Sequence, residues 1–320
     1  MAWSYVARRV AQLVPALAAI LVITFTLVHV APGDPVGTFA GEYADEEMRA
    51  AIREQWGLDR PMWSQLLTYA GRLLRGDLGD SYVYGRPVTA IIGERLPATV
   101  LLAGTALVMS LVWGLLLGLI AARRPSGVLD TTVTTSSLLV NAVPSFFLAQ
   151  LAILLIGLRW GVPFVGMTDS RVDYRGFEHV VDVGRHLALP AVVLALSEVT
   201  LVARLTRTGL VNEMAAPYTR TAEAKGLAAD VVLSRHALRN ASLPLITVVG
   251  ARVGFLFSGA VIIETVFSWP GVGGLLVDAA NSGDRPMTLG LVLMVATSVL
   301  ITNLVTDLVY AWVDPRIRHR

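Results

Sequence analysis

The stretch Asn212–Pro244, NEMAAPYTRTAEAKGLAADVVLSRHALRNASLP, is polar and helix-prone, yet it lies between two apolar runs long enough to cross a bilayer. Its Glu and Arg spacings repeat at three and four residues, and Lys225–Gly226 divides it into two short helices. A loop held on one membrane face by its charge alone would need the basic residues but not this helical patterning. The pattern points to a docking element between two spans.

Outward from it, apolar residues gather in runs of about twenty, the length of a spanning helix. These runs are Val10–Val30, Thr99–Ala121, Thr134–Gly157, Leu187–Thr208, Leu243–Thr265 and Met287–Val313. With 54% hydrophobic and 16% charged residues among 320, and a mean hydropathy of +0.62, the class is an all-α polytopic membrane protein of six transmembrane helices. Cytoplasmic termini put about 13 Lys and Arg inside against about 5 in the short outer loops, so the orientation is N-in and C-in. The chain reads as one domain, 1–320, with an extracytoplasmic helical loop at 31–98 and a cytoplasmic loop at 209–242. Arg8 and Arg9 precede a run too long for a signal peptide, so the first span reads as a retained anchor.

The residues of the central stretch now carry a resemblance. The coupling loop of bacterial ABC-importer permeases, the EAA loop, reads Glu-Ala-Ala, three residues, Gly, nine residues, Ile-x-Leu-Pro. Here Arg220, Thr221 and Ala222 stand in the first three places, and His236, Ala237, Leu238 and Arg239 replace the closing group; the nearest acid is Glu223. That departure resembles the peptide and nickel importers, whose loop reads close to YxRTAxAKGLxxxxVxxRHALRNAxLP. APGDP (31–35), RLLRGDLGDSYVYGRPV (72–88), ETVFSWPGVG (264–273) and DPRIR (314–318) are similar to the same family, so the resemblance covers nearly the whole chain.

The resemblance implies a type I importer permease fold in the bacterial cytoplasmic membrane. It implies the B-type subunit, partnered by a homologous second permease, two ATPase subunits and an extracytoplasmic substrate-binding protein. Glu213, Tyr218, Arg220, Thr221, Ala222, Glu223, Ala224, Lys225, Gly226 and Leu227 are then the residues coupling to the ATPase, with Arg220, Glu223 and Lys225 supplying polar contacts. Cargo is a di- or oligopeptide or a related solute; glutathione, haem and nickel systems share these signatures.

Polar groups inside apolar runs mark a pathway or helix–helix hydrogen bonds. Asn141, Ser145 and Gln150 flank Pro144 in the third run, where a proline bends the helix. Glu198 in the fourth run and Arg252 in the fifth are expected in the bundle interior, paired with each other. Asp307 in the sixth reads as a packing or interfacial residue. Small residues every fourth position, Ala106, Ser110, Gly114, Gly118 and Ala122, and then Gly250, Gly254 and Ser258, suit close helix packing. In the outer loop, 44–56 and 61–74 read as amphipathic helices, and 87–96 as a lead-in to the second span. Trp63, Tyr69, Tyr82 and Tyr84 suit the membrane interface. This loop either meets an external partner or packs as a cap.

No catalytic or metal set is expected. There is no cysteine. The only lysine is Lys225, so a Walker phosphate loop is impossible here, and ATP and Mg belong to partner subunits. His179 and His186 fall in an outer loop, where surface histidines are the better reading. The rival from another class, an ion-gradient-driven secondary transporter or channel, requires an intramembrane carboxylate relay. Glu198 and Asp307 are too few and too far apart to supply one.

Overall fold

The computed structural model describes residues 3–31, 35–40 and 45–313; the side chains of some further positions within helices, Glu223 and the run 251–259 with Arg252 among them, lie outside the described residues. Helix α1 runs Trp3–Val30. A cap follows, made of α2 (Pro35–Ala40), α3 (Glu46–Trp56) and α4 (Met62–Leu73). Then come α5 (Val88–Arg123), α6 (Val128–Ala142) and α7 (Ser145–Ala152), the last extended by a π-helical turn Ile153–Leu158. Helix α8 (Phe177–Met214) leads into the short α9 (Pro217–Ala224) and α10 (Ala229–Val231), with a π turn Val232–Ala237. The long α11 (Leu238–Phe267), α12 (Val272–Asn281) and α13 (Arg285–Val313) complete the chain.

Among the described residues, Arg9–Val30, Val88–Arg123, Phe177–Met214 and Arg285–Leu308 are long and apolar enough to cross a membrane. Two bent pairs, Val128–Ala142 with Ser145–Leu158 and Ala260–Phe267 with Val272–Asn281, bring the number to six. The third run is therefore not one bent helix: it breaks by 102°. Pro144 offers no N–H and pushes Val143 out of the helical region, to φ −99° and ψ 128°. The lead-in expected at 87–96 is instead continuous with the second span, despite Pro97 inside it. Val88, Ile91 and Ile92 hold that extension by packing on Val272, Leu275, Met287 and Leu291. The fourth span likewise starts early, at Phe177, and this corrects the histidine reading. His186 is buried on α8, its Nδ1 2.9 Å from the Asp182 carbonyl, while Asp182 accepts from the Asp169 amide at 2.9 Å; His179 alone is a surface residue.

Glycine sets the central helix pair. A Cβ on Gly114 would stand 2.5 Å from Val202 Cβ, and one on Gly118 would stand 2.5 Å from Thr206 Cβ, so α5 and α8 meet nearly backbone to backbone. Ala106, Ser110 and Ala122 of the same stripe are buried too. Gly250 gives α11 the same closeness to Thr306 of α13. The other two residues of the α11 stripe, Gly254 and Ser258, lie outside the described residues.

At the end carrying the cap, Glu264 is fully buried and organises the turn that follows it. Its carboxylate accepts from Thr99 Oγ1 at 2.6 Å and from the Gly273 and Gly274 amides at 2.7 and 3.1 Å. It thereby caps the first turn of α12, where free N–H groups favour a carboxylate. Thr99 also accepts from the Val272 amide at 2.9 Å, and Trp269 Nε1 donates to the Ala98 carbonyl at 2.8 Å. Gly271 and Gly273 are obligatory, since a Cβ at either would meet the Glu264 side chain or Val261 at 2.5 Å or less. Asp284 does the parallel service for the cap. It accepts from Ser81 Oγ, from the Tyr82 and Val83 amides at 3.2 Å each, and from the Met287 amide of α13. Tyr82 stacks flat on Trp56, centroids 3.7 Å apart, and burial pushes its phenol up to about 12.

Gly118→Leu is expected to destabilise the purified chain in detergent by about 1–3 kcal/mol through overpacking. Gly104→Leu on the same helix, with open space around the new Cβ, should be near neutral. Thermal unfolding of both variants checks this, and equal midpoints would contradict the close α5–α8 contact.

Candidate functional site

The site builds up from the end of α8. Its last carbonyls have no helical partner, and Thr219, fully buried, sets its hydroxyl against the carbonyls of Ala216, Met214 and Glu213 at 2.6, 3.0 and 3.2 Å. Pro217 opens α9, a position where its missing N–H costs nothing. Tyr218 then ties three elements together. Its hydroxyl donates to Glu213 Oε2 of α8 and accepts from Asn240 Nδ2 of α11 at 2.9 Å. Partial burial and the Glu213 carboxylate push the Tyr218 phenol up from its ordinary value, further from ionisation.

Along α9, Thr219 and Ala222 are buried while Arg220, Thr221, Ala224 and Lys225 are exposed. One face is seated on the bundle and the other is free. The helix ends at Gly226, φ +85°, where the Leu227 amide reaches back to the Ala222 carbonyl at 3.3 Å. That left-handed cap is strained for any residue with a Cβ. Leu227 beyond it is exposed. The second half of the loop is anchored: Val232, Leu233 and Ala237 are buried, Leu233 and Ala237 packing with Ala122 of α5, Leu210 of α8 and Ala241 of α11. Asp230 meets Arg123 at 3.3 Å. Gly209 lets α8 and α11 close on each other at Ala241.

Of the coupling residues read from sequence, the structure joins Glu213 and Tyr218 directly and sets Arg220, Thr221, Ala224, Lys225, Gly226 and Leu227 on the open side. Ala222 faces inward. The Glu223 side chain lies outside the described residues. Among the polar residues of the spans, Asn141 Nδ2 donates to Thr200 Oγ1 of α8 at 2.6 Å and to the Ser137 carbonyl at 2.8 Å. Thr200 lies two residues from Glu198, which is half-buried. Ser145, half-buried, starts α7, and Gln150 is exposed, so these two are not brought to Asn141. The Arg252 side chain lies outside the described residues. Asp307 holds Arg9 at 3.1 Å, which ties α13 to α1.

One pair has no counterpart in the sequence reading. Arg207 of α8 grips Asp130 at the start of α6 with two bonds, 2.8 and 2.7 Å, and the Ser126 amide adds a third at 2.8 Å. The two-pronged geometry suits a guanidinium. The pair fixes the turn between α5 and α6 to α8. Only an aspartate just after a basic loop hinted at it.

Comparison with known proteins places these features. Residues 114–319 match the family described as binding-protein-dependent transport system inner membrane component, and residues 2–103 match its N-terminal companion. The di/tripeptide transport system permease protein DppB of Pseudomonas aeruginosa is 38% identical over 333 residues, 99% of each chain. DppB of Escherichia coli K12, a dipeptide transport permease, is 36% identical over 335 residues with the same coverage. The oligopeptide transport permease AppB of Bacillus subtilis is 34% identical over 318 residues, again 99% of each chain. In fold, the chain is similar to the inward-facing MetNI methionine ABC transporter, with a TM-score of 0.56 and 15% identity over 71% of this chain and 97% of that one.

Arg207→Gln should cost about 1–3 kcal/mol, because it leaves the buried Asp130 short of its charged hydrogen bonds, and Asp130→Asn should cost less, since the Arg207 side chain is 30% exposed. The double variant should cost less than the sum of the two. A double-mutant cycle on thermal midpoints measures that coupling, and strict additivity would show the pair does not act as one unit.

Proposed function

The chain belongs to the family of binding-protein-dependent transport inner-membrane components, and from that premise we propose that it carries peptides and is driven through α9. It is a multi-pass permease subunit of an ATP-driven importer in the bacterial inner membrane, with the type I importer fold. Such permeases work with an ATPase and a binding protein. The assembly proposed here holds a homologous second permease, two ATPase subunits bearing ATP and Mg, and an extracytoplasmic receptor that delivers cargo. The relatives named for di- and tripeptides, dipeptides and oligopeptides support a peptide cargo.

The observation that carries the mechanism is the Glu213–Tyr218–Asn240 chain of hydrogen bonds. It links the docking helix to α8 and α11 at once, so a push on the exposed side of α9 is delivered to two spans together. Closure of the ATPase dimer would pull on Arg220 and Lys225, and α9 would move as a lever about the turn at Ala215–Ala216. The α5–α8 pair, locked by glycine, would turn as a block, while the break at Val143–Ser145 lets α6 and α7 change angle independently. This is rigid-body switching between outward and inward access. An ion-driven carrier fits less well: Asp307 is engaged with Arg9, which leaves no carboxylate relay across the bundle among the described residues.

In proteoliposomes holding the full importer, wild-type chain should support ATP-dependent uptake of a radiolabelled dipeptide. Uptake that proceeds without the ATPase subunits would overturn the reading. Gly226→Val forces a β-branched residue into a left-handed conformation, costing roughly 1–2 kcal/mol. It should leave ATP hydrolysis running while uptake falls, and normal uptake would count against the lever. Tyr218→Phe removes two hydrogen bonds of about 0.5–1.5 kcal/mol each. It should lower the ratio of peptide moved to ATP hydrolysed without loss of the assembled complex.

A further inference from the structure

Helix α4 has three unlike flanks. Leu66, Tyr69, Ala70 and Leu73 pack against Leu21 and Phe25 of α1 and Leu289 and Leu293 of α13. Gln65, Thr68 and Arg72 face a polar cavity of about 660 Å³ that Trp56 and Tyr82 also line. On the remaining flank stand Trp63 and Leu67, one turn apart, and Leu74 two turns further on. These three are 67%, 64% and 90% exposed. Leu74 keeps helical dihedrals, so it continues the row. An apolar row this open, on a helix whose opposite side is wet, is unusual for a loop element in water.

Its depth explains the row. The Arg9–Asp307 pair joins α1 and α13 near the end that carries both termini. At 1.5 Å per residue, Phe25 stands about 24 Å up α1 from that pair, and Leu293 about 21 Å up α13. The hydrocarbon layer is about 30 Å thick. Helix α4 therefore packs against the outer third of both spans, where acyl chains give way to headgroups. Beside it, Ile23, Leu27 and Val30 of α1 are also exposed and apolar, and continue the same belt. His29 fixes the height, with ring nitrogens 2.8 Å from the Phe25 carbonyl and 3.2 Å from Gln65 Oε1 of α4.

Resting on the reading of α1 and α13 as membrane spans, we propose that α4 is an interfacial membrane helix, its Trp63–Leu67–Leu74 flank seated among the upper acyl carbons of the outer leaflet. The occupant of this flank is phospholipid. Tryptophan at the interface, with Arg72 on the wet side of the same helix and Arg75 at its end, matches the pattern of helices that lie in that layer. The helix so placed walls the polar cavity off from lipid, and keeps its charged lining in contact with water.

The chain contains no cysteine, so single cysteines report without background once those of the partner subunits are replaced. Leu67→Cys and Thr68→Cys sit on different flanks, about 100° apart around the helix; Leu74→Cys repeats the first, and Leu27→Cys extends the apolar belt to α1. Each is tagged with an environment-sensitive fluorophore in the full importer, in vesicles of phosphatidylcholine and phosphatidylglycerol. Labels at Leu67 and Leu74 should emit to the blue of the Thr68 label and be quenched by lipids brominated high on the acyl chain, as at Leu27. The Thr68 label should be quenched by iodide in the water. Equal iodide quenching at Leu67, Leu74 and Thr68 would overturn the proposal. So would shielding of Leu67 and Leu74 from both quenchers, which would put protein, a receptor or a second permease, on this flank. The labels read depth whether or not cargo moves, so a failure of dipeptide uptake bears on the transport reading alone.

Discussion

Close approach of α5 and α8 is the constraint on which the other elements depend. Gly114 and Gly118 bring the two backbones to within a methyl group of each other against Val202 and Thr206. In lipid there is little hydrophobic gain from bringing helices together, so such contacts must rely on dense packing and satisfied polar groups. Once the pair is fixed, its two ends become platforms of known position. The cap-side end offers Ala98 and Thr99 to the Trp269 and Glu264 turn. The opposite end offers Ala122 and Leu210 to the loop between α8 and α11.

Charge is handled at both ends by the same device, a carboxylate surrounded by several donors. Glu264 and Asp284 each cap the start of a helix and simultaneously tie it to a distant segment. Asp130 joins Arg207 and the Ser126 amide. None of the three faces bulk water freely, and each would be costly there without its donors. They locate the ends of helices that hydrophobic packing alone would leave free to slide.

Much of this was legible in the sequence, for local reasons. Apolar runs gave the six spans, because the backbone of a crossing segment must bond to itself. Lys225–Gly226 marked the end of α9, because a left-handed cap demands glycine there. Small residues at four-residue spacing marked the buried stripe of α5. What escaped was long-range or set by packing. Asp130 and Arg207 are 77 positions apart, and nothing near either names the other. The Phe177–Leu187 extension of α8 is polar enough to read as loop, and is helical because Asp182 and His186 are buried and bonded there. Glu264 looked like the edge of an apolar run; the nearby Gly271, Gly273 and Gly274 were the available sign that a side chain needed room.

The glycines of this protein answer two different needs. At Gly118 the demand is for space, in an ordinary helical backbone. At Gly226 the space is open and the demand is for handedness, φ +85° with nothing within 4 Å of an added carbon. A residue of mirror-image configuration would suit the second place with ease, since its own preference lies there. Among natural residues asparagine comes nearest, so at the end of α9 replacements rank by the strain of their backbone, whereas a crowded site ranks them by size.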